Sequence, residues 1–544
     1  MPTLHKVKFM PLFRIILAFI LFSCGARADD ISASLAALNS DDFDQKAQAL
    51  IQIENSKDPH ALPLFQALLD GNLFQRKQDD KLVYAQEADG GYTLTDVLTG
   101  EAQGAAGKRD IRKMTVNNAL RNQLQAAIAR LSLTSTDARV RLAAVNNILK
   151  DATPGSADLL RMAVLTENSQ DVVKAMQLAI ALADFGSPDV DTRIRAVSVL
   201  QASLNPDVRN RLAAVAEIKS DTILSASETQ LRDMIDHALA GIDARISVYR
   251  FAESVFFGIS LGSVLLLAAI GLAITFGVMG VINMAHGELM MLGAYTTYVV
   301  QLLMPNHIDA SLFVAIPAAF VVAGLVGIAI ERGVIRFLYG RPLETLLATF
   351  GISLVLQQLV RSIFSPLNRS VSAPQWMSGS WQINEVFSLT YNRLYIVLFA
   401  LAVFALLQLI LKKTRLGLQV RAVSQNRSMA RAMGVRSNWV DAFTFGLGSG
   451  IAGVAGVALS QLTNVGPNLG QSYIIDSFMV VVFGGVGNLW GTLVGAMSLG
   501  VVNKFLEPWS GAVLAKVLVL IFIILFIQKK PRGLFPQKGR AAND

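Results

Sequence analysis

Long apolar segments in the second half of the chain constrain its fold more than any other feature. From Val255 onward, apolar runs alternate with short charged loops, whereas residues 29–250 carry dense charges of both signs. A helix of about 20 apolar residues is long enough to cross the hydrocarbon core of a bilayer. The sequence therefore predicts one soluble part and one membrane part.

Nine segments of the second half are candidate membrane spans. Seven are clear, at residues 256–276, 281–304, 312–330, 343–360, 394–411, 443–462 and 513–527. Two shorter, glycine-interrupted segments lie between Ile474 and Leu506. We therefore predict an all-α fold with a polytopic bundle of about eight to ten spans in residues 251–536, in contact with membrane lipid, and a tail at 537–544.

Basic residues indicate the orientation of this bundle, because lysine and arginine are enriched in cytoplasmic loops. Residues 412–440 contain seven basic and no acidic residues, whereas Arg369 is the single basic residue in 362–392. The first loop is therefore expected inside the cell and the second outside, which places residues 29–250 outside and the C-terminus inside. Much of the net charge of +8 lies in loops beside the apolar spans, where lysine and arginine indicate membrane orientation. The charge therefore does not indicate nucleic-acid binding.

Residues 1–28 have the organisation of a secretory signal peptide. Basic residues precede the apolar run 15–22, and Ala26 and Ala28 supply the small residues of a cleavage site. An uncleaved membrane helix is one alternative, although the run is too short to span a bilayer. A lipoprotein, modified at the lone Cys24, is another. We expect a multi-pass protein of the bacterial inner membrane whose residues 29–250 form a periplasmic domain.

The periplasmic domain has a helical period and a recurring phrase. Residues 137–145 match residues 207–215, and residues 191–197 are a shortened relative. Such self-similarity is typical of HEAT-like helical repeats, and an aspartate is expected to begin each helix. Alternating residues near 79–107 predict a small inserted hairpin, which is either a partner contact or a surface loop. The domain has no catalytic or metal-binding spacing, so interaction or scaffolding is its expected role.

Polar residues inside the apolar segments mark a candidate substrate path, because such residues are costly in lipid unless they face a cavity or a partner. They are Asn283, His286, Glu288, Ser353, Gln357, Gln358, Asp476 and Asn488. A buried hydrogen-bond cluster that fixes helix packing is the alternative. The glycine phrase at 276–288 has a weaker echo at 483–488, and paired glycine-broken segments often mark the central site of a transporter.

Small residues mark two further segments. The sixth span contains several glycines, among them Gly446, Gly450, Gly453 and Gly456. Their spacing favours close helix packing, with pore lining as the alternative. The basic phrase 420–434 ends in glycine and contains small residues that would let a partner surface approach closely.

Several of these motifs, taken in order, resemble the branched-chain amino acid class of ABC-importer permeases. They lie at residues 282–288, 415–417, 421–422, 429–430, 434–435 and 483–488. The resemblance covers roughly residues 251–536. The signal peptide and long helical domain ahead of this part resemble the long form of the urea-importer permeases, their B subunit.

This resemblance implies a transport subunit that works with a second permease, two cytoplasmic ATPases and a periplasmic solute-binding protein. It assigns ATPase coupling to Arg421, Ala422, Met429, Ala430 and Gly434, and it implies no enzyme activity, metal or cofactor. The sequence agrees, since it has no glycine-rich phosphate-binding loop.

Import of urea or a short-chain amide into the cytoplasm is the function implied, with branched-chain amino acid import as the alternative within the class. An ATP-independent channel or secondary transporter, and a membrane-anchored scaffold, are alternatives of other classes.

Overall fold

The computed structural model describes residues 34–536, apart from residues 41, 57, 89–90, 151 and 218–224. The chain divides into two compact units, with the boundary between Asp243 and Ala244. The predicted signal peptide with Cys24 and the predicted tail at 537–544 lie outside the described residues.

The first unit combines short helices with one antiparallel sheet. Its helices are α1 (Phe43–Asn55), α2 (Ala61–Asp70), α3 (Asn118–Leu133), α4 (Ala138–Lys150), α5 (Pro154–Ala163), α6 (Gln170–Asp184), α7 (Val190–Leu200) and α8 (Pro206–Ala216). Helices α3 to α7 stack: α3 packs on α4, and α6 packs on α4, α5 and α7.

The sheet inserted between α2 and α3 corrects the prediction of an all-α fold. Its strands are β1 (Leu73–Arg76), β2 (Leu82–Ala88), β3 (Gly91–Asp96), β4 (Ala102–Ala106) and β5 (Ile111–Lys113), in the order β4-β3-β2-β1-β5. All neighbours are antiparallel, with Phe74 opposite both Val83 and Lys113. The sheet is larger than the predicted hairpin because β1 and β5, which flank the hairpin in the sequence, also join it. These two strands bury apolar residues such as Phe74 and Ile111.

The recurring phrase lies at helix starts, but its aspartates do not all cap helices. Asp137 immediately precedes α4 and accepts a hydrogen bond from the backbone N–H of Arg139 (2.8 Å). Asp191 and Asp207 instead lie in the first turns of α7 and α8, where Asp189 and Asn205 are the N-caps. An acidic residue in the first turn still interacts favourably with the helix dipole.

Apolar helices dominate the second unit. The long apolar ones are α9 (Ala226–Met279), which begins before the boundary, α10 (His286–Leu303), α11 (Ile308–Gly333), α12 (Pro342–Phe364), α13 (Tyr391–Lys413), α16 (Ser437–Ser460), α17 (Leu469–Gly484) and α18 (Leu489–Lys529). Two short, more polar helices, α14 (Arg415–Gln425) and α15 (Arg427–Ala432), lie between α13 and α16. A short ribbon of β6 (Ser380–Gln382) and β7 (Ser388–Thr390) precedes α13.

Six helices among the described residues are long and apolar enough to cross a membrane: α9, α11, α12, α13, α16 and α18. This number is below the predicted eight to ten for three reasons. Polar residues such as His286 and Glu288 lower the hydropathy of α10, and α17 has only 16 residues. The last two predicted segments form one helix, α18, although Gly511 interrupts its backbone geometry with φ 76° and ψ 162°.

α16 is the most buried of the six, and its glycines pack closely on α9, α10 and α11. Gly448 lies against the backbone of Gly271 on α9, and Gly453 lies against that of Gly293 on α10. Gly446 and Gly450 lie against side chains of α11, and Gly456 lies against the backbone of Met290 on α10. The glycines of α16 therefore make helix contacts that any larger side chain would prevent.

Candidate functional site

A break between α9 and α10 organises the candidate site. Gly280 has φ 65°, and the chain is not helical again until His286. The Asn283 Oδ1 atom accepts from the N–H of Ala285 (3.0 Å), and the Thr349 Oγ1 atom of α12 accepts from the N–H of Met284 (3.1 Å). Side chains therefore satisfy backbone groups that the interrupted helix cannot.

The break presents Glu288 of α10 to α12. Glu288 Oε1 accepts hydrogen bonds from Ser353 Oγ (3.0 Å) and from Gln357 Nε2 (2.7 Å), and all three side chains are buried. Ser353 and Gln357 reach the same carboxylate because residues four apart lie on one face of a helix. Three predicted path residues thus form one contact cluster, which we call the Glu288 cluster.

Three buried polar atoms at this break have no hydrogen-bond partner among the described residues. They are Glu288 Oε2, His286 Nδ1 and Asn283 Nδ2. The His286 Nε2 atom lies 2.9 Å from the carbonyl oxygen of Ala268. Because a carbonyl only accepts, Nε2 carries the proton and Nδ1 of the neutral ring is an acceptor. The break therefore holds one donor and two acceptors with unused hydrogen-bonding capacity.

The other predicted path residues lie elsewhere. Gln358 is exposed, on the face of α12 away from Ser353. Asp476 of α17 pairs with Lys516 of α18, with 3.0 Å between Oδ2 and Nζ. Asn488 caps α18 by accepting from the N–H groups of Trp490 and Gly491. None of the three contributes to the Glu288 cluster.

The two glycine-containing segments, residues 276–288 and 483–488, both interrupt helices. In the echo, Gly485 and Gly487 have φ values of 105° and 78°, and Asn488 caps the following helix. The side chains of Asn283 and Asn488 each accept a hydrogen bond from the backbone N–H two residues later in the sequence. The two breaks are neighbours, because Gly277 lies against the backbone of Gly487.

Helices α14 and α15 contain four of the residues predicted to couple to ATPases, and the fifth, Gly434, follows α15. Val420, Val423 and Ala430 are buried together with Val440 of α16. Arg421 donates to the carbonyl of Leu411, and Gly434 has φ 85°. The outer side exposes Leu418, Met429 and Met433, while Ala422 packs at the edge of the buried cluster. These two helices therefore have a docked apolar side and an exposed side.

Sequence reasoning named Ser353 and Gln357 but missed Thr345 and Thr349, which complete a polar stripe on α12. Thr345, Thr349, Ser353 and Gln357 recur every four residues, and all are buried. This period was the available signal, because a polar stripe on an otherwise apolar helix marks its buried face. Sequence reasoning also missed Lys516, whose signal was a lone lysine within an apolar segment. The described residues contain no group of three or more His, Cys, Asp or Glu that could hold a metal.

Comparison with known proteins places the second unit in a family. The family model described as the branched-chain amino acid transport system, permease component, matches residues 254–527. The LivH permease protein of the high-affinity branched-chain amino acid transport system of Salmonella typhimurium is 31% identical over 294 residues. That alignment covers 52% of this chain and 95% of LivH.

Two other relatives extend this similarity. The BraD permease protein of the corresponding system of Pseudomonas aeruginosa is 29% identical over 297 residues, or 53% of this chain and 96% of BraD. The ribose import permease RbsC of Escherichia coli is 29% identical over 131 residues, or 22% of this chain and 41% of RbsC. No solved structure is significantly similar to the chain. The chain belongs to the branched-chain amino acid permease family of ABC transporters, a family of multi-pass membrane subunits without an ATP site of their own.

Proposed function

We propose that the chain carries branched-chain amino acids across the inner membrane as the permease subunit of an ATP-driven importer. The observation that carries this proposal is the buried Glu288 carboxylate, whose hydrogen-bond partners are both neutral. A buried carboxylate is costly without a cation, and the ammonium group of an amino acid would supply one during passage.

Urea, the substrate first expected from domain architecture, is the weaker candidate. It is neutral and therefore offers no charge-assisted contact to the Glu288 carboxyl group. The LivH and BraD relatives are named for branched-chain amino acid transport, and they align with the chain over nearly their whole length. Both observations favour the amino acid.

In this proposal the partners are a second permease, two ATPases and a periplasmic solute-binding protein. ATP-driven closure of the ATPases moves α14 and α15, and the bundle alternates access to the polar path. The stacked helices α3–α7 act as a periplasmic HEAT-like scaffold, on the side assigned by the loop charges. The exposed side of α14 and α15 is the ATPase-facing surface.

Substitution of Glu288 tests the substrate assignment. In cells carrying the whole transporter, Glu288→Gln should lower uptake of labelled leucine by about tenfold or more, because a charge-assisted contact to the ammonium is lost. Gln358→Ala, on the exposed face of the neighbouring helix, should leave uptake unchanged.

Competition between labelled leucine and urea completes this test. Excess urea should not reduce leucine uptake by the wild-type transporter. Uptake of urea without uptake of leucine would contradict the amino acid proposal, and so would normal leucine uptake by the folded Glu288→Gln variant.

A further inference from the structure

A second cluster of charged residues, with two buried carboxylates and the partly exposed Arg427, lies where α11, α15 and α16 meet. Both nitrogens at the end of Arg427 donate to the carboxylate of Asp441, with Nη1–Oδ2 and Nη2–Oδ1 distances of 2.8 and 3.0 Å. The Arg427 guanidinium also lies 4.9 Å from the centre of the Tyr339 ring. Tyr339 in turn donates to Glu331 Oε1 (3.0 Å). Glu331 and Asp441 are fully buried.

This cluster attaches α15 to the bundle. α15 has six residues, of which Ala430 is buried and Met429 is exposed. Its apolar contact with the bundle is therefore small. A two-pronged arginine–carboxylate pair fixes both distance and orientation, and separating it would leave a buried carboxylate without a partner. The pair thus makes α15 and the start of α16 move together.

α16 continues this connection to the candidate site. Its Gly453 and Gly456 lie against the backbone of Gly293 and Met290 on α10, the helix that carries Glu288. Because backbone-to-backbone contacts leave no compressible side chain between the helices, displacement of α16 is passed directly to α10.

We propose that the Arg427–Asp441 pair is a positioning pair that transmits movement of α14 and α15 to α16, and through α16 to the Glu288 cluster. This proposal rests on the proposed function, since it requires a motor that moves α14 and α15. The pair itself contacts no substrate. Its role is to convert ATP hydrolysis by the partner subunits into movement of the path.

The test uses the complete transporter in lipid vesicles and measures both leucine imported and ATP hydrolysed. Three variants are compared: Arg427→Met, Asp441→Leu and the double variant. Each should retain ATP hydrolysis but import about fivefold less leucine per ATP, the lower range of typical coupling between sites. The double variant should regain thermal stability, because no buried charge is left unpaired, without regaining coupling.

A matched control is the exposed pair Arg341–Glu344, whose nitrogen and oxygen atoms are 3.1 Å apart. Arg341→Met should leave leucine imported per ATP unchanged. Arg427→Lys keeps the charge but loses the two-pronged geometry, so its coupling should lie between those of wild type and Arg427→Met.

Two results would overturn the proposed pair while the function stands: wild-type coupling in the single variants, or coupling that returns with stability in the double variant. Absence of ATP-driven leucine uptake by the wild-type transporter would instead contradict the proposed function, and this inference with it.

Discussion

Glu167 shows how one side chain joins α4 to the loop that precedes α6. Its carboxylate accepts from Nε and Nη2 of Arg141, at 2.7 and 2.8 Å, and from the N–H groups of Asn168 and Ser169. The hydrogen bonds from Arg141, helped by those backbone groups, lower the pKa of Glu167 from 4.5 to about 2. Arg141 belongs to the recurring phrase, so the phrase also carries a contact between α4 and the loop that precedes α6.

The lowered pKa of Glu167 predicts a pH dependence. A carboxyl group with a depressed folded-state pKa contributes stability that is complete above its ordinary pKa of 4.5 and is lost as the pH falls towards 2. Glu167→Gln should therefore reduce hydrogen-exchange protection of α4 and α6 by about tenfold at pH 7, with a smaller difference at pH 3. Glu87→Gln, in an exposed pair with a 3.9 Å separation from Lys108, should have no effect. An equal loss at both pH values would contradict this account.

Individual path residues could be named from the sequence because polar groups stand out in apolar segments. The sequence did not show which of these residues contact one another. Asn488 and Gln358 satisfied the same criterion as Glu288, yet one caps a helix and the other is exposed. Side-chain partners from helices distant in the sequence decide which polar residue joins a cluster, as Ser353 and Gln357 do for Glu288.

At the scale of elements, glycine determines how closely α10 and α16 approach. A methyl group added to Gly293 would overlap the carbonyl group of Gly453, which cannot rotate away as a side chain could. Gly293→Ala should therefore destabilise the protein in detergent by about 1–3 kcal/mol, the usual cost of overpacking. Thermal unfolding of the purified chain measures this cost.

Gly351 provides the control for this substitution. It lies in α12, and an added methyl group would meet nothing within 4 Å. Gly351→Ala should leave the unfolding temperature unchanged or raise it slightly, because alanine favours a helix. Equal stability of the two variants would show that the close approach of α10 and α16 is unimportant.

Helices were easier to predict than their limits. Hydropathy identified the apolar segments, but it placed the start of one span at Val281, whereas α10 begins at His286. Gly280 and Asn283 end the preceding helix and cap the break, and an average over apolar residues does not register such local chemistry. The sheet of the first unit was underestimated for a related reason: β4, with the sequence Ala-Gln-Gly-Ala-Ala, is largely exposed and lacks strand-forming residues.

At the scale of the whole molecule, the division into a soluble and a membrane part followed directly from composition. The sequence placed the division near residue 250, and the structure places it between residues 243 and 244. The family followed from ordered motifs, and the match at residues 254–527 confirms it. The substrate could not be predicted from the sequence in the same way. Domain architecture favoured urea, whereas the environment of Glu288 and the related permeases favour an amino acid.

ATP-dependent uptake tests the central claim most directly. The chain is reconstituted in lipid vesicles with its partner permease, ATPases and binding protein, and entry of labelled leucine is measured with ATP or with a non-hydrolysable analogue. An importer permease predicts leucine accumulation with ATP and none with the analogue. Equal uptake under both conditions would indicate a channel, and the absence of uptake by the fully assembled complex would indicate a scaffold; either result would contradict the account.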